Sequence, residues 1–217
     1  MILALPSRTR PIRAPQPFRL GQRLAAVLAS VLMLASLAFP LWQMRMVAPQ
    51  YPEGLLLQVY ADKVVGGASE SNDDLAEINT LNHYIGMAEL DGANFPELKI
   101  LPIGIGLAAL LALLAAAAGS WALVAALTVL GSVGLGGLAS ALARLYQYGH
   151  HLDPSAPVKV APFTPVFLGT NHLANFTTTG SLGTGAFLLL AGGVICGGAL
   201  VWELRRRHGV AAGRRFT

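Results

Sequence analysis

Four stretches of this chain are too long and too apolar for the interior of a small soluble domain, and they constrain its fold more than any motif. A helix needs about 20 apolar residues to cross roughly 30 Å of hydrocarbon. The first stretch runs from Leu24 to Met44 (LAAVLASVLMLASLAFPLWQM) and the second, uncharged, from Ile100 to Gly119. The third runs from Trp121 to Arg144 and the fourth from Leu182 to Glu203. Only Gly119 and Ser120 separate the second from the third, which predicts a tight antiparallel hairpin. Composition agrees: 54% of residues are hydrophobic and 12% charged, where a soluble domain carries about 25% charged residues. That balance excludes a disordered chain and argues against a soluble enzyme.

Charge orients the spans. Of the 15 basic residues, Arg8, Arg10, Arg13, Arg19 and Arg23 precede the first span, and Arg205, Arg206, Arg207, Arg214 and Arg215 follow the fourth. Acidic residues concentrate between Glu53 and Glu97, with Asp153 in the second long loop. The positive-inside rule then places both termini in the cytoplasm and both long loops outside. The segmentation that follows is a basic tail (1–23), a first span (24–44), an external loop domain (45–99), spans at 100–119 and 121–144, an external His/Pro-rich loop (145–181), a last span (182–203) and a basic tail (204–217). The N-terminal tail, with Pro6, Pro11, Pro15 and Pro17 among its arginines, reads as a flexible segment. Because ten of the 15 basic residues lie in the two tails, a pI of 9.6 does not indicate a nucleic-acid binder. Ser36-Leu37-Ala38 has the form of a secretory cleavage site, but the apolar stretch continues through Trp42 and favours an uncleaved anchor. Trp42, Trp202, Arg144 and Glu203 are expected at span ends, within reach of water.

The spans themselves carry little chemistry. No ionisable group lies mid-span and no histidine lies within one, so neither a proton path nor a haem within the membrane is expected. The single cysteine, Cys196, excludes an intramolecular disulfide and a thiolate zinc site. Glycines at close spacing, Gly131, Gly134, Gly136 and Gly137 in the third span and Gly183 to Gly198 in the fourth, suit close helix packing within the bundle or against another membrane subunit.

The polar chemistry is therefore in the loops. Pro49 to Gly54 reads as a rigid turn, and Leu55 to Val65 as a strand. Ser71 or Asn72 would cap a helix with Leu75, Ile78, Leu81 or Asn82, and Ile85 on its buried face, ended by Gly86. Asn79, His83 and Met87 follow at spacings of four, and an imidazole beside a thioether suits copper. The second loop adds His150, His151, Asp153 and His172 on the same side, among prolines that argue against a long helix. Each has a plain structural reading too: His83 at a helix carboxyl end, and His150 and His151 as partners for exposed backbone. Candidate metal ligands are thus His83, Met87, His150, His151 and His172, with Asn82 or Asp153 placed to hold a ligand's second ring nitrogen. Asn175-Phe176-Thr177 matches a glycosylation sequon, a weak signal. No GxSxG, HExxH or phosphate-binding loop occurs, so no catalytic residue and no further cofactor site is assigned.

Several phrases carry a resemblance. Leu41-Trp42, Ala48-Pro49-Gln50-Tyr51-Pro52-Glu53-Gly54-Leu55, Leu81-Asn82-His83-Tyr84-Ile85-Gly86-Met87 and Phe95-Pro96-Glu97 in the first half are joined by Tyr148-Gly149-His150, Leu152-Asp153-Pro154, Ala156-Pro157, Lys159-Val160 and Asn175-Phe176 in the second. Together, from Leu41 to Phe176, they resemble a family of uncharacterised bacterial four-span membrane proteins, similar to those encoded beside the copper-chaperone lipoprotein and maturation components of nitrous-oxide reductase. Two departures stand out. The segment Gly66 to Thr80 is longer here, and Ala161-Pro162-Phe163 stands where the family carries a Gly-Met. The resemblance implies a bacterial inner-membrane accessory protein with a periplasmic, copper-handling cap and a membrane or periplasmic protein partner. The expected fold is α-helical: four transmembrane helices under a small mixed α/β extracytoplasmic cap formed by the two long loops. The alternative is a structural or scaffold subunit of a larger membrane complex with no metal of its own.

Overall fold

A computed structural model describes residues 18–69, 72–173 and 175–213. Arg8, Arg10, Arg13, Arg214 and Arg215, the four N-terminal prolines and the candidate helix cap Ser71 lie outside them. Among the described residues there are five α-helices: α1 (Leu20–Ser36), α2 (Asp74–Tyr84), α3 (Glu97–Ala118), α4 (Ser120–His150) and α5 (Thr184–Gly213). Among the described residues, α3, α4 and the Thr184–Arg207 part of α5 are long and apolar enough to cross a membrane. Helix α1 is also apolar but has 17 residues, about 26 Å at 1.5 Å per residue.

The expectation of a first span reaching Met44 is therefore corrected: the helix stops at Ser36 and a strand begins at Trp42. Pro40 has no N–H and its ring pushes Phe39 toward extended backbone, so the helix cannot run through. The sheet takes over from there: Leu41 N–H donates to the Val59 carbonyl (2.7 Å), and the Leu41 carbonyl accepts from Gly183 N–H (2.9 Å). The third and fourth helices run longer than expected, α4 to His150 and α5 past the arginines to Gly213. At 31 residues, or roughly 46 Å, α4 exceeds the thickness of a hydrocarbon layer.

The bundle is held by small side chains. Helix α1 packs between α3 and α5, and α4 returns along α3. Ala26 and Ala29 of α1, Ala108, Ala109, Ala112 and Ala115 of α3, and Ala122 and Ala126 of α4 are fully buried in one cluster. Small residues let backbones approach closely, gaining dispersion where lipid removes the hydrophobic drive. The outer surface is apolar instead: Ile103 and Leu135 are 71% exposed and Val194 74%.

One end of the bundle is polar and closed. Glu203 does not reach for water as a span-end residue would; its side chain is fully buried, accepting from Gln22 Nε2 (3.0 Å), Arg206 Nη2 and Arg207 Nε (2.7 Å). Arg207 also donates to Ser120 Oγ (2.9 Å), so the start of α1, the α3–α4 turn and the end of α5 meet there. A buried carboxylate is costly unless paired, and three donors meet that requirement.

The other end carries a five-stranded antiparallel sheet. Its strands are β1 (Trp42–Ala48), β2 (Tyr51–Val59), β3 (Val64–Gly66), β6 (Gly169–Leu173) and β7 (Phe176–Leu182), in the order β3-β2-β1-β7-β6. The two-residue strands β4 (Ala68–Ser69) and β5 (Asn72–Asp73) pair separately. Both loops thus build one sheet, with Met44 of β1 opposite Leu57 on one side and Gly180 on the other. The expected turn and strand need adjusting. The turn at Pro49-Gln50 is tight enough for β2 to begin at Tyr51, and Tyr60 to Lys63 then turns the chain back into β3, closed by Tyr60 N–H on the Lys63 carbonyl (2.8 Å). Trp42 is part of the sheet and not of a span-end helix: its indole donates to the Phe167 carbonyl (2.6 Å) and its ring stacks on Phe167.

Helix α2 lies against β2 and β3. Asp73 is its N-cap, one residue beyond the expected Asn72, with Oδ1 accepting from Leu75 N (3.0 Å) and Ala76 N (3.4 Å). The helix ends as glycine predicts. Gly86 takes φ +79°, Gly86 N–H donates to His83 O (3.2 Å) and Met87 N–H to Asn82 O (2.8 Å). That pair of bonds satisfies two carbonyls of the last turn.

Candidate functional site

The carboxyl end of α2 is where the two loops meet. Its last carbonyls would otherwise lack partners. The second loop supplies them: Val158 N–H donates to Tyr84 O (2.9 Å) and Asp153 N–H to Gly86 O (2.8 Å). A Cβ on Gly86 would come within 2.8 Å of the Asp153 backbone, so glycine is required for the approach as well as for its φ. Across the joint, Gly149 near the end of α4 lies so close to the Phe163 carbonyl that a Cβ would sit 1.8 Å from it.

This joint leaves an open cleft lined by His83, Met87, His150, His151 and Asp153. Four of the five residues singled out as ligands therefore share one wall system, drawn from both loops. The end of α4 presents two of them, because the helix continues six residues past Arg144. His150 stacks on Tyr146, one turn back, at 3.9 Å between ring centroids. Its Nδ1 lies 2.9 Å from the Tyr146 carbonyl, and His151 Nδ1 lies 3.3 Å from the Gln147 carbonyl. A carbonyl can only accept, so in the neutral rings Nδ1 carries the proton and Nε2 the lone pair. Backbone thus does what Asn82 and Asp153 were expected to do.

Asp153 has a different task. Its Oδ1 accepts from Ser155 N and Ser155 Oγ, both at 2.7 Å. These bonds, with smaller help from Lys159 and His83, hold its carboxyl below the ordinary carboxylate range. The turn it caps begins the proline-rich passage, which Lys159 ties down by donating to the Ala156 carbonyl (2.9 Å) and to that of Pro154.

His172 and Asn82 do not join the cleft. His172 is on β6, with Nδ1 3.0 Å from Thr177 Oγ1 of β7. Asn82 is 4% exposed and lies beneath the sheet, on the wall of a separate apolar cavity. Among the described residues, no three His, Cys, Asp or Glu side chains gather closely enough to hold a metal ion. The cleft is lined by three imidazoles and one thioether without a closed coordination shell.

The strand β1 was not read from sequence, where Trp42 and Met44 belong to the first span and Met44 and Met46 stand as thioethers near the external histidines. Trp42, Met44 and Met46 alternate along the strand and line the cavity beneath it. Their period of two was the available signal, hidden because the preceding apolar run reads as a continuous span. In comparisons with known proteins, no family model, no curated protein and no solved structure matches this chain.

Proposed function

We propose that the chain is an integral inner-membrane accessory protein, with four spans and cytoplasmic termini, whose periplasmic cap takes up or hands over copper, or docks a copper-handling partner, for a periplasmic reductase. The observation that carries this reading is the cleft in which His83, Met87, His150 and His151 line one opening. Imidazole nitrogen and thioether sulfur favour Cu(I) over hard cations such as Mg or Ca. Two of the imidazoles already have Nδ1 engaged, which orients Nε2 as the donor. An open, incomplete set leaves coordination positions for a partner's ligands, which suits handover better than storage. Counting α1 as the fourth span rests on its apolar sequence and its place between α3 and α5. The resemblance to proteins encoded with nitrous-oxide reductase maturation components supplies the reductase context.

Copper content of the purified protein tests the reading. The double substitution His83→Ala/His150→Ala is expected to abolish Cu(I) retention and leave membrane insertion intact. Copper content unchanged in that variant would overturn it. The second reading, a scaffold subunit, is favoured by Gly131, Gly134 and Gly136 of α4 and Gly197 and Gly198 of α5, where a Cβ would meet nothing within 4 Å. It requires cross-links from a cysteine at Gly134 to another protein.

A further inference from the structure

A second cavity, of about 320 Å³, lies between the inner face of the sheet, α2 and the adjoining ends of α3 and α4. It shares only Met87 with the histidine cleft. Its volume falls at the lower end of small-molecule sites, about 300–1,000 Å³. The walls are nearly all hydrocarbon, thioether or aromatic, with Trp42, Met44 and Met46 above and Leu98 and Ala141 below. An apolar void of this kind stays dry or takes an apolar guest. Methionines, unbranched and polarisable, adapt to such a guest.

Tyr148, Asn171 and Thr178 also reach the wall, but two polar features define what fits. Asn82 lines the cavity while only 4% exposed, and among the described residues its buried Nδ2 has no hydrogen-bond partner. A buried amide donor in apolar surroundings calls for an acceptor. The charged groups on the wall, Glu97 and Arg144, are paired with each other, with Arg144 Nη2 3.0 Å from Glu97 Oε2 and Arg144 Nε on Oε1. They leave no net charge to hold an ionic headgroup.

We infer that this cavity binds a neutral amphiphile, whose apolar body lies against the methionines while a carbonyl oxygen accepts from Asn82 Nδ2. Leu98 and Leu101, in the first turns of α3, form part of the floor, so the site lies where the apolar stretch of that helix begins. The outer leaflet is then the source of the guest. That source rests on the membrane reading of the helices; the binding itself does not. A glycerolipid ester and a prenylated quinone both have the required chemistry.

The test uses the full chain in lipid nanodiscs, with 1-monodecanoylglycerol and decylubiquinone added from water. Binding is read from Trp42 emission in a Trp121→Phe/Trp202→Phe background, since Trp42 alone of the three tryptophans lines the cavity. Saturable binding is expected, and Asn82→Leu, which removes the donor, is expected to weaken it about threefold to tenfold. Ala141→Phe, which fills the cavity from α4, is expected to abolish it. If that variant unfolds the cap, Asn82→Leu in a folded cap still decides. Tighter binding of the glyceride identifies a glycerolipid, and tighter binding of the quinone a quinone; either upholds the site. No saturable binding, or full affinity in a folded Asn82→Leu variant, overturns it. Saturable binding in a protein whose helices label from water would keep the site and remove only its membrane source.

Discussion

Asp153 shows how a single side chain can hold a joint between two parts of the cap. Its carboxylate accepts two bonds from Ser155, and its own N–H reaches the end of α2. Because its pKa is lowered in the folded state, the contribution is complete above the ordinary carboxylate pKa of about 3.9 and is lost as pH falls through the lower folded value. Amide-exchange protection around Ser155 is therefore expected to drop below about pH 4. Asp153→Asn is expected to lose that pH dependence, and an unchanged profile in the variant would assign the effect to another group. The histidines of this joint were visible in the sequence as donors on one side of the chain. Which of them meet was not, since His172 follows strand register and Asn82 follows the buried face of α2. Local spacing says nothing of contacts set by tertiary packing.

At the scale of elements, α4 is the member that joins the bundle to the two long loops. Its length beyond Arg144 carries Tyr148 to the Glu89 carbonyl (3.1 Å) and Gly149 to Phe163. Gly149→Ala would drive a Cβ into a backbone carbonyl that cannot yield by a rotamer change. Overpacking of this kind costs about 1–3 kcal/mol, so the proline-rich passage is expected to exchange amide protons faster while α3 keeps its protection. Gly131→Ala, placed where nothing lies within 4 Å, is the matched control and is expected to be neutral or slightly stabilising. The glycine pattern in the sequence did not separate these roles. Gly137 and Gly193 face neighbouring side chains and Gly192 the Ala29 carbonyl and Met33, while Gly131 and Gly134 face open space, and only the bundle's rotation decides which. Apolar length made α3, α4 and α5 legible, whereas β1 was concealed by the run before it. Strand β7, with Thr177, Thr178 and Thr179 in succession, had β-branched residues to announce it, but the prolines upstream argued only against a long helix and no strand was assigned there.

The whole molecule is polarised along the bundle. Gln22, Ser120, Glu203 and Arg207 meet at one end, and every strand lies at the other. Single cysteines at Gln58 and Ser155 are therefore expected to label from the same side of a sealed vesicle, and a cysteine at Ser120 from the opposite side. Labelling of Gln58 and Ser155 from different sides would be incompatible with a chain inserted in this fold. The order of the sheet has a consequence for how such a chain is made. Central strand β1 emerges early, yet its second neighbour, β7, is among the last segments before α5. In the topology proposed above, one edge of β1 stays unpaired until the α3–α4 hairpin has inserted and the second loop has been exported, and an unpaired edge invites aggregation. Completion of the cap thus coincides with completion of insertion. A ribosome that stops before Phe176, or a translocon that retains the second loop, leaves a product with an exposed strand that quality-control proteases can distinguish from the finished protein.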